Sequence, residues 1–248
     1  MTVHVTGATG YLGSELVRLL PDASTERVEL RDGDAVHALL ERVRPETVIH
    51  TAYRQEDPRV NVEGSEHVAR AAAAVGARLV HLSSDVVFDG LKGEPYVEDD
   101  PLSPVNPYAE SKAEAERRVA AAHPEALIVR TSLIVGGAQL SAQPSKHELA
   151  ATGPGPWFTN EVRSPIQVTD LARALLELAE LEVAGPLHVA GADGVSRAEL
   201  AELIAGRPVA TAEAPPTRPL DCRLDSSRAE ALIRTRLRGV RELFGREG

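Results

Sequence analysis

The sequence predicts an α/β protein built on a doubly wound parallel sheet. Three observations carry this. A short strand, Thr2 to Thr6, runs straight into a glycine-punctuated turn and then a helical pattern from Ser14 to Leu20. Two later runs, Thr47-Val48-Ile49-His50-Thr51-Ala52 and Arg78-Leu79-Val80-His81-Leu82-Ser83-Ser84, are nearly continuous in apolar residues, as expected of parallel strands covered on both faces. Helical patterns separate the strands at the spacing of right-handed βαβ units.

Bulk composition sets the limits. A chain of 248 residues suffices for one large α/β domain, or one domain with a small appendage. Aromatic residues are only 3%, so the core must be aliphatic. The formal net charge is −10 with no dense run of Lys or Arg, which argues against a nucleic-acid or anionic-membrane surface, where clustered positive charge is needed. No apolar run approaches a membrane span, and Met1 leads almost directly into Val3-His4-Val5 without the charged and apolar regions of a signal peptide. The single cysteine, Cys222, has no partner for an internal disulfide. These features lead us to expect a cytoplasmic protein.

The first turn reads Gly7-Ala8-Thr9-Gly10-Tyr11-Leu12-Gly13. Gly7 and Gly10 let backbone N–H groups approach a pyrophosphate at the positive end of the following helix, and Gly13 lets helix and strand sit close. The spacing is G-x-x-G-x-x-G. A dinucleotide fold next needs a second strand that ends in a group reading the adenosine ribose. Here only Val28-Glu29-Leu30 has strand character. Two placements are open: Arg31 follows a truncated strand and faces a ribose phosphate, or Glu29-Leu30 lies beside the adenine with the strand nearly lost.

The pattern then continues as a helix from Ala35 to Arg44, the Thr47 strand, a helix from Asn61 to Val75 closed by Gly76, and the Arg78 strand. A loop leads to a helix from Tyr108 to about His123, then the strand Ala126 to Arg130. Residues 138–165, rich in Pro, Gly, Ser and Gln, read as a long functional loop or lid. Beyond it come a helix from Val168 to Leu181, a strand from Pro186 to Ala190, a helix from Ser196 to Ala205 and a terminal helix from Ser226 to Phe244. The expected division is a dinucleotide-binding domain over 1–135, rejoined by 165–192, with 136–164 and 193–248 forming the lid and a small C-terminal substrate-binding subdomain.

The chemistry centres on Asn106-Pro107-Tyr108-Ala109-Glu110-Ser111-Lys112. Asn suits a helix N-cap and Pro the first helical position. Tyr108 and Lys112 then stand one turn apart on one face. An ammonium near a phenol favours the phenolate and brings it towards the range useful for proton transfer to a carbonyl or alcohol oxygen. Ser83-Ser84 end a strand at the carboxyl edge, where open α/β sheets bind ligands, so a hydroxyl there can meet the oxygen that Tyr108 protonates.

These stretches resemble the extended short-chain dehydrogenase/reductases, and within them the dTDP-4-dehydrorhamnose reductase family. The resemblance rests on Val5 to Gly13, Leu79 to Gly90, Tyr96 to Lys112, Val129-Arg130-Thr131-Ser132, Arg163-Ser164-Pro165 and Arg218 to Asp225. It implies a Rossmann-type sheet and hydride transfer from NADP(H) or NAD(H) to a nucleotide-linked 4-keto-6-deoxy sugar. Tyr108 would deliver the proton, Lys112 would hold the nicotinamide ribose and depress the Tyr108 pKa, and Ser84 would orient the carbonyl. The cofactor would touch Gly7, Thr9, Gly10, Tyr11, Leu12 and Gly13, then Glu29, Leu30 and Arg31, then Ala52, Tyr53, Ser83, Arg130 and Thr131. Asn61 would lie beneath the site, and Arg218 or Arg223 would grip the substrate pyrophosphate. A homodimer is compatible with this reading.

The chain departs from the family where an aromatic residue often stands: Val86 follows the catalytic hydroxyl by two positions, and Leu133 follows Arg130-Thr131-Ser132. Both positions border the sugar, so its identity stays open. Two further readings remain. One is an NAD-dependent nucleotide-sugar epimerase or dehydratase, although Asp85 lacks the glutamate expected beside it. The other is a non-catalytic nucleotide-binding regulator of a partner protein. His4, His50, His81 and His188 fall within expected strands without metal-ligand spacing and read as hydrogen-bonded core histidines, so no metal is expected.

Overall fold

The computed structural model describes residues 2–137, 144–153 and 155–245. Residues 138–143 and Pro154 of the expected lid, and 246–248 of the expected C-terminal subdomain, lie outside the described residues.

The chain opens with β1 (Val3–Thr6) and α1 (Tyr11–Leu19). Then follow α2 (Gly33–Val43), β2 (Thr47–His50), α3 (Pro58–Val75), β3 (Arg78–Ser84), α4 (Pro107–Ala122) and β4 (Leu127–Thr131). Side-chain caps fix where these helices start. Asp32 accepts from the Ala35 amide, Asp57 from those of Arg59 and Val60, and Asn106 from that of Ala109 at 3.0 Å. Pro58 and Pro107 occupy first-turn positions where no intrahelical N–H is needed.

The second half is made of shorter pieces. They are β5 (Ile134–Val135), α5 (Lys146–Ala151), β6 (Trp157–Phe158), β7 (Val162–Arg163), β8 (Ile166–Gln167), α6 (Val168–Ala179) and β9 (Gly185–His188). β10 (Val195–Ser196), α7 (Arg197–Ala205), β11 (Thr211–Ala212), α8 (Ser227–Glu230) and α9 (Val240–Phe244) complete it.

Among the described residues the main sheet runs β1-β2-β3-β4-β9, with every neighbouring pair parallel. Registers such as Thr6 opposite His50 and Ser84 opposite Thr131 bring the carboxyl ends to one edge. Helices cover both faces. Leu12 and Leu16 of α1 meet Leu171, Leu175 and Leu178 of α6 on one side, while Val36, Leu40, Val68 and Val119 of α2, α3 and α4 close the other. Alanines such as Ala69, Ala72, Ala113 and Ala115, all fully buried, fill the volume that aromatics would take elsewhere. Two-residue pairings β5–β8, β7–β10 and β6–β11 build the C-terminal part around Val135, Val195, Leu200, Val240 and Leu243.

Three expectations need correction. Val28-Glu29-Leu30 forms no strand. What remains beside β1 is a one-residue bridge at Ser24, whose amide donates to Val3 and whose carbonyl accepts from Val5. The seven residues between Leu20 and Val28 include Pro21 and are too few to turn back from α1 and extend again.

The terminal helix also fails to run from Ser226 to Phe244. Between α8 and α9, the Glu177 carboxylate of α6 accepts from the Arg234 and Thr235 amides and the Thr235 hydroxyl. A side chain from elsewhere in the fold therefore takes the donors that a continuous helix would use.

The histidines differ among themselves. His50 is satisfied by Thr6 at 2.6 Å and Ser65 at 3.1 Å. His188 meets the Tyr96 carbonyl and Arg130. His4 engages only Ser24, through Nδ1. His81, stacked on His50 with 5.3 Å between ring centres, has a hydrogen-bond partner at neither nitrogen.

Candidate active site

The carboxyl edge of the sheet gathers four loops. After β1, Gly7 adopts φ +70°, and a Cβ there would lie 2.8 Å from the Ala52 nitrogen and 2.9 Å from the Thr51 hydroxyl oxygen. Only glycine lets this loop press against the loop after β2. A Cβ on Gly13 would fall 2.1 Å from the Gly7 carbonyl oxygen, so α1 rises directly off the turn. Gly10 stands at the N-cap of α1 with no side chain to offer, and the first turn carries no acidic residue. Thr9 and Gly10 are exposed on the rim, while Tyr11 and Leu12 turn towards the core of α1 and α6. This is a cradle suited to a diphosphate.

Continuity with Tyr108 is short. Ala52 abuts Gly7, and the next residue, Tyr53, has its ring centre 6.3 Å from that of Tyr108. Tyr108 occupies the first turn of α4, set by the Asn106 cap. Its carbonyl accepts from Ser111, whose oxygen also receives Asn61 Nδ2 at 3.2 Å, tying α4 to α3 beneath the site. Asn61 holds the chain after Tyr53 as well, through both the amide and the carbonyl of Arg54.

The electrostatics correct one expectation. Burial, then Tyr53 and Asp85, push the Tyr108 phenol above its ordinary value, not below it. The Lys112 ammonium is instead directed at the Leu82 carbonyl, 2.7 Å away. Burial lowers Lys112 itself to about 8, against the opposing pull of Glu116. The reason is tertiary: an i,i+4 spacing puts two residues on one face but does not aim the longer side chain.

Ser84 ends β3, and its hydroxyl donates to Asp85 Oδ1 at 3.2 Å. Asp85 is 1% exposed and takes the Ser132 hydroxyl on Oδ2 at 2.6 Å. Arg163 Nε lies 3.6 Å from that same oxygen, and Arg163 Nη2 lies 3.4 Å from Glu161. Sequence reading carried Arg163 only within the Arg163-Ser164-Pro165 resemblance, without a role, and missed Glu161. Their i,i+2 spacing beside β7, which puts both on one face, was the available signal.

Other expected contacts lie elsewhere. Ser83 donates to the buried Glu116, which also pairs with Arg130 at 2.9 Å. Thr131 donates to the Val189 carbonyl. All three are buried, with their side chains engaged by these partners. Glu29 and Arg31 pair with each other at 2.8 Å on the surface, the arginine holding the Glu29 carboxyl down to about 2. Arg31 also lies 3.5 Å from Asp57. Leu30 is buried against α3, where its carbonyl meets His67 and Gly64 leaves room for its side chain. Val86 is half-buried, and Leu133 packs onto the C-terminal cluster.

Arg218 forks onto Glu161 at 2.6 and 3.1 Å, with its guanidinium over Phe158, yet remains 45% exposed. Arg223 forks onto Asp221. From α5, Lys146 reaches Tyr53 Oη at 3.4 Å. Among the described residues, no group of His, Cys, Asp or Glu is arranged to hold a metal ion.

A parallel sheet flanked on both faces, with its glycine turn feeding α1, is a Rossmann-type architecture, the class of fold suited to dinucleotides. Within that class, the chain belongs to the RmlD substrate binding domain family, whose profile matches residues 1–245. It is 38% identical over 221 residues to dTDP-4-dehydrorhamnose reductase of Mycobacterium tuberculosis (strain ATCC 25618 / H37Rv), covering 78% of this chain and 71% of that protein. It is 28% identical over 277 residues to methionine adenosyltransferase 2 subunit beta of Rattus norvegicus, covering 93% and 82%. Its fold matches the crystal structure of dTDP-4-dehydrorhamnose reductase from Bacillus anthracis str. Ames in complex with NADP, with a TM-score of 0.87 at 24% identity, over 98% and 96% of the two chains.

Proposed function

We propose that this chain is an NADP(H)- or NAD(H)-dependent reductase of a nucleotide-linked 4-keto-6-deoxy sugar, of the dTDP-4-dehydrorhamnose type. The observation that carries the reading is the unbroken path from the Gly7 cradle through Ala52 and Tyr53 to Tyr108. The 38% identity to a dTDP-4-dehydrorhamnose reductase supports the substrate class.

The cradle suits the cofactor pyrophosphate, because its glycines leave backbone where side chains would intrude. Bound nicotinamide supplies the hydride. The chain's own residues do the rest. A phenol raised by burial stays protonated at neutral pH, the form required of a proton donor to an oxygen gaining negative charge. Ser84, whose hydroxyl ends β3 at this edge, would orient the carbonyl. Lys112 keeps positive charge beneath the reacting centre. Arg218, half-exposed and already aimed at a carboxylate, is suited to a substrate diphosphate, and Arg223, paired with Asp221, is the second candidate. At the adenosine end the exposed Glu29–Arg31 pair would meet the ligand, with Leu30 buried behind it against α3.

The expected location is the reducing cytoplasm, which fits a lone buried Cys222 whose thiol burial pushes up. Among the described residues no helix is long and apolar enough to cross a membrane.

The test is turnover of dTDP-4-dehydrorhamnose with NADPH or NADH, followed by loss of reduced-nicotinamide absorbance. Tyr108→Phe is expected to cut turnover by roughly 10²–10⁴-fold while leaving cofactor affinity nearly unchanged. Unchanged turnover removes Tyr108 from the mechanism. A second reading, a regulatory subunit, is favoured by the likeness to methionine adenosyltransferase 2 subunit beta together with the reduced strand at Ser24. Cofactor binding without turnover of any nucleotide-linked keto sugar would select it.

A further inference from the structure

The group behind Ser84 carries an inference that rests on the reductase reading. Asp85 is an internal carboxylate, 1% exposed, directly after the strand that delivers Ser84. Its Oδ2 takes the Ser132 hydroxyl at 2.6 Å and faces Arg163 Nε at 3.6 Å, while its Oδ1 takes Ser84 at 3.2 Å. Of the two hydroxyl bonds, that of Ser84 is the longer and gives way first when another acceptor approaches.

Arg163 is immobilised. It is 2% exposed, and its guanidinium donates to the carbonyls of Val162, Leu220 and Pro219. Ser132 is fixed too: its oxygen accepts from the Ser164 amide at 3.2 Å, which leaves its proton for Asp85. Glu161 supplies the second countercharge to Arg163 and is itself held by Arg218.

We propose that Arg163 and Ser132 are positioning residues for the reduction: by saturating one oxygen of Asp85 they pin its carboxylate, and through it they set the direction of the Ser84 hydroxyl. Without them the carboxylate would be free to rotate, and its full acceptor strength would fall on Ser84. The hydroxyl would then be held away from a substrate carbonyl. Arg163 stands in β7 and Ser84 at the end of β3, so the substrate-binding half of the chain would orient a group at the sheet edge.

The charged and titratable groups around Asp85 are Arg163, Glu161, Arg197, Tyr108 and Cys222. Burial raises the Asp85 carboxyl, and Arg163, Ser132 and Ser84 oppose that rise. Loss of either brace therefore raises it further.

The experiment uses full-length protein labelled with carboxyl-¹³C aspartate, and the Asp85 resonance is assigned by its loss in Asp85→Asn. Ser132→Ala is expected to move the Asp85 titration up by about one pH unit, the size of a lost hydrogen bond to a carboxylate. Arg163→Met is expected to move it further. The loss of turnover with dTDP-4-dehydrorhamnose should be confined to pH values above that titration, where Asp85 is ionised and holds Ser84, with NADPH affinity unchanged. Should Arg163→Met fail to fold, Ser132→Ala, which removes a single hydroxyl, decides. An Asp85 titration unmoved in Ser132→Ala overturns the proposal. So does a moved titration with a rate profile that only scales down equally at every pH. If Asp85 titrates as expected but wild-type protein turns over no keto sugar, the bracing of Asp85 stands and the reductase reading falls.

Discussion

Lys112 of α4 donates to the Leu82 carbonyl at 2.7 Å, two residues before Ser84. Lys112 is 6% exposed, while the buried carboxylate that acts on it, Glu116, is occupied by Arg130 and Ser83. An ammonium without an ion-pair partner in the interior is costly. Its fall from 10.5 to about 8 corresponds to about 3 kcal/mol against the charged form in the folded state. Lys112→Met should therefore be more stable than wild type at pH 7, by ~1–2 kcal/mol once the orphaned Leu82 carbonyl is counted, and inactive. Denaturant midpoints at constant m-value, together with turnover, check both halves. A destabilised variant would contradict this account.

The same group sets a pH dependence whose sign follows from the lowered pKa. Between about 8 and 10.5 the unfolded chain still binds this proton and the folded chain has released it, so the contribution of Lys112 to stability rises with pH across that window. Activity, which needs the ammonium, should fall with an apparent pKa near 8 on the alkaline side. Opposite trends in melting temperature and turnover, compared between wild type and Lys112→Met, are the signature.

Arg218 is the exposed end of the Glu161 pair. Arg218→Ala is expected to raise KM for the nucleotide sugar by about tenfold or more, the size of a lost charge-assisted fork, and to leave NADPH affinity unchanged. Glu161 keeps Arg163 at 3.4 Å and Arg197 at 4.0 Å, so the variant should fold. An unchanged KM would remove Arg218 from substrate binding.

Glu177 holds the segment between α8 and α9 through two amides and a hydroxyl. Glu177→Ala should cost about 1–3 kcal/mol. It should also accelerate hydrogen exchange selectively at Arg234 and Thr235. Exchange that rises evenly over the whole chain would show that the carboxylate does not act locally.

Much of this was readable from residues alone. Asn106-Pro107 announced the start of α4, the helix expected from Asn61 begins three residues earlier behind the Asp57 cap, and the spacing of Gly7, Gly10 and Gly13 is what the observed close approaches demand. These are local signals whose physics acts within a few residues. The failures share the opposite property. The aim of Lys112 depends on a carbonyl in β3, the break after α8 on a carboxylate in α6, and the engagement of Arg218 on Glu161, 57 positions away. Arg163 entered only as part of the Arg163-Ser164-Pro165 resemblance, with no role attached, because nothing near it in sequence foretells Asp85. The lost second strand was half visible: too few residues separated α1 from α2, but that shortage did not say which residue would bridge to β1.

That bridge has its own consequence. Ser24 alone, through two backbone hydrogen bonds, stands where a whole strand would otherwise support the adenylate half of a dinucleotide. The grip on such a ligand must then be lopsided, concentrated on its phosphates and its nicotinamide end. Adenosine monophosphate should compete feebly with the intact cofactor, nicotinamide mononucleotide appreciably better, and spent cofactor should depart quickly.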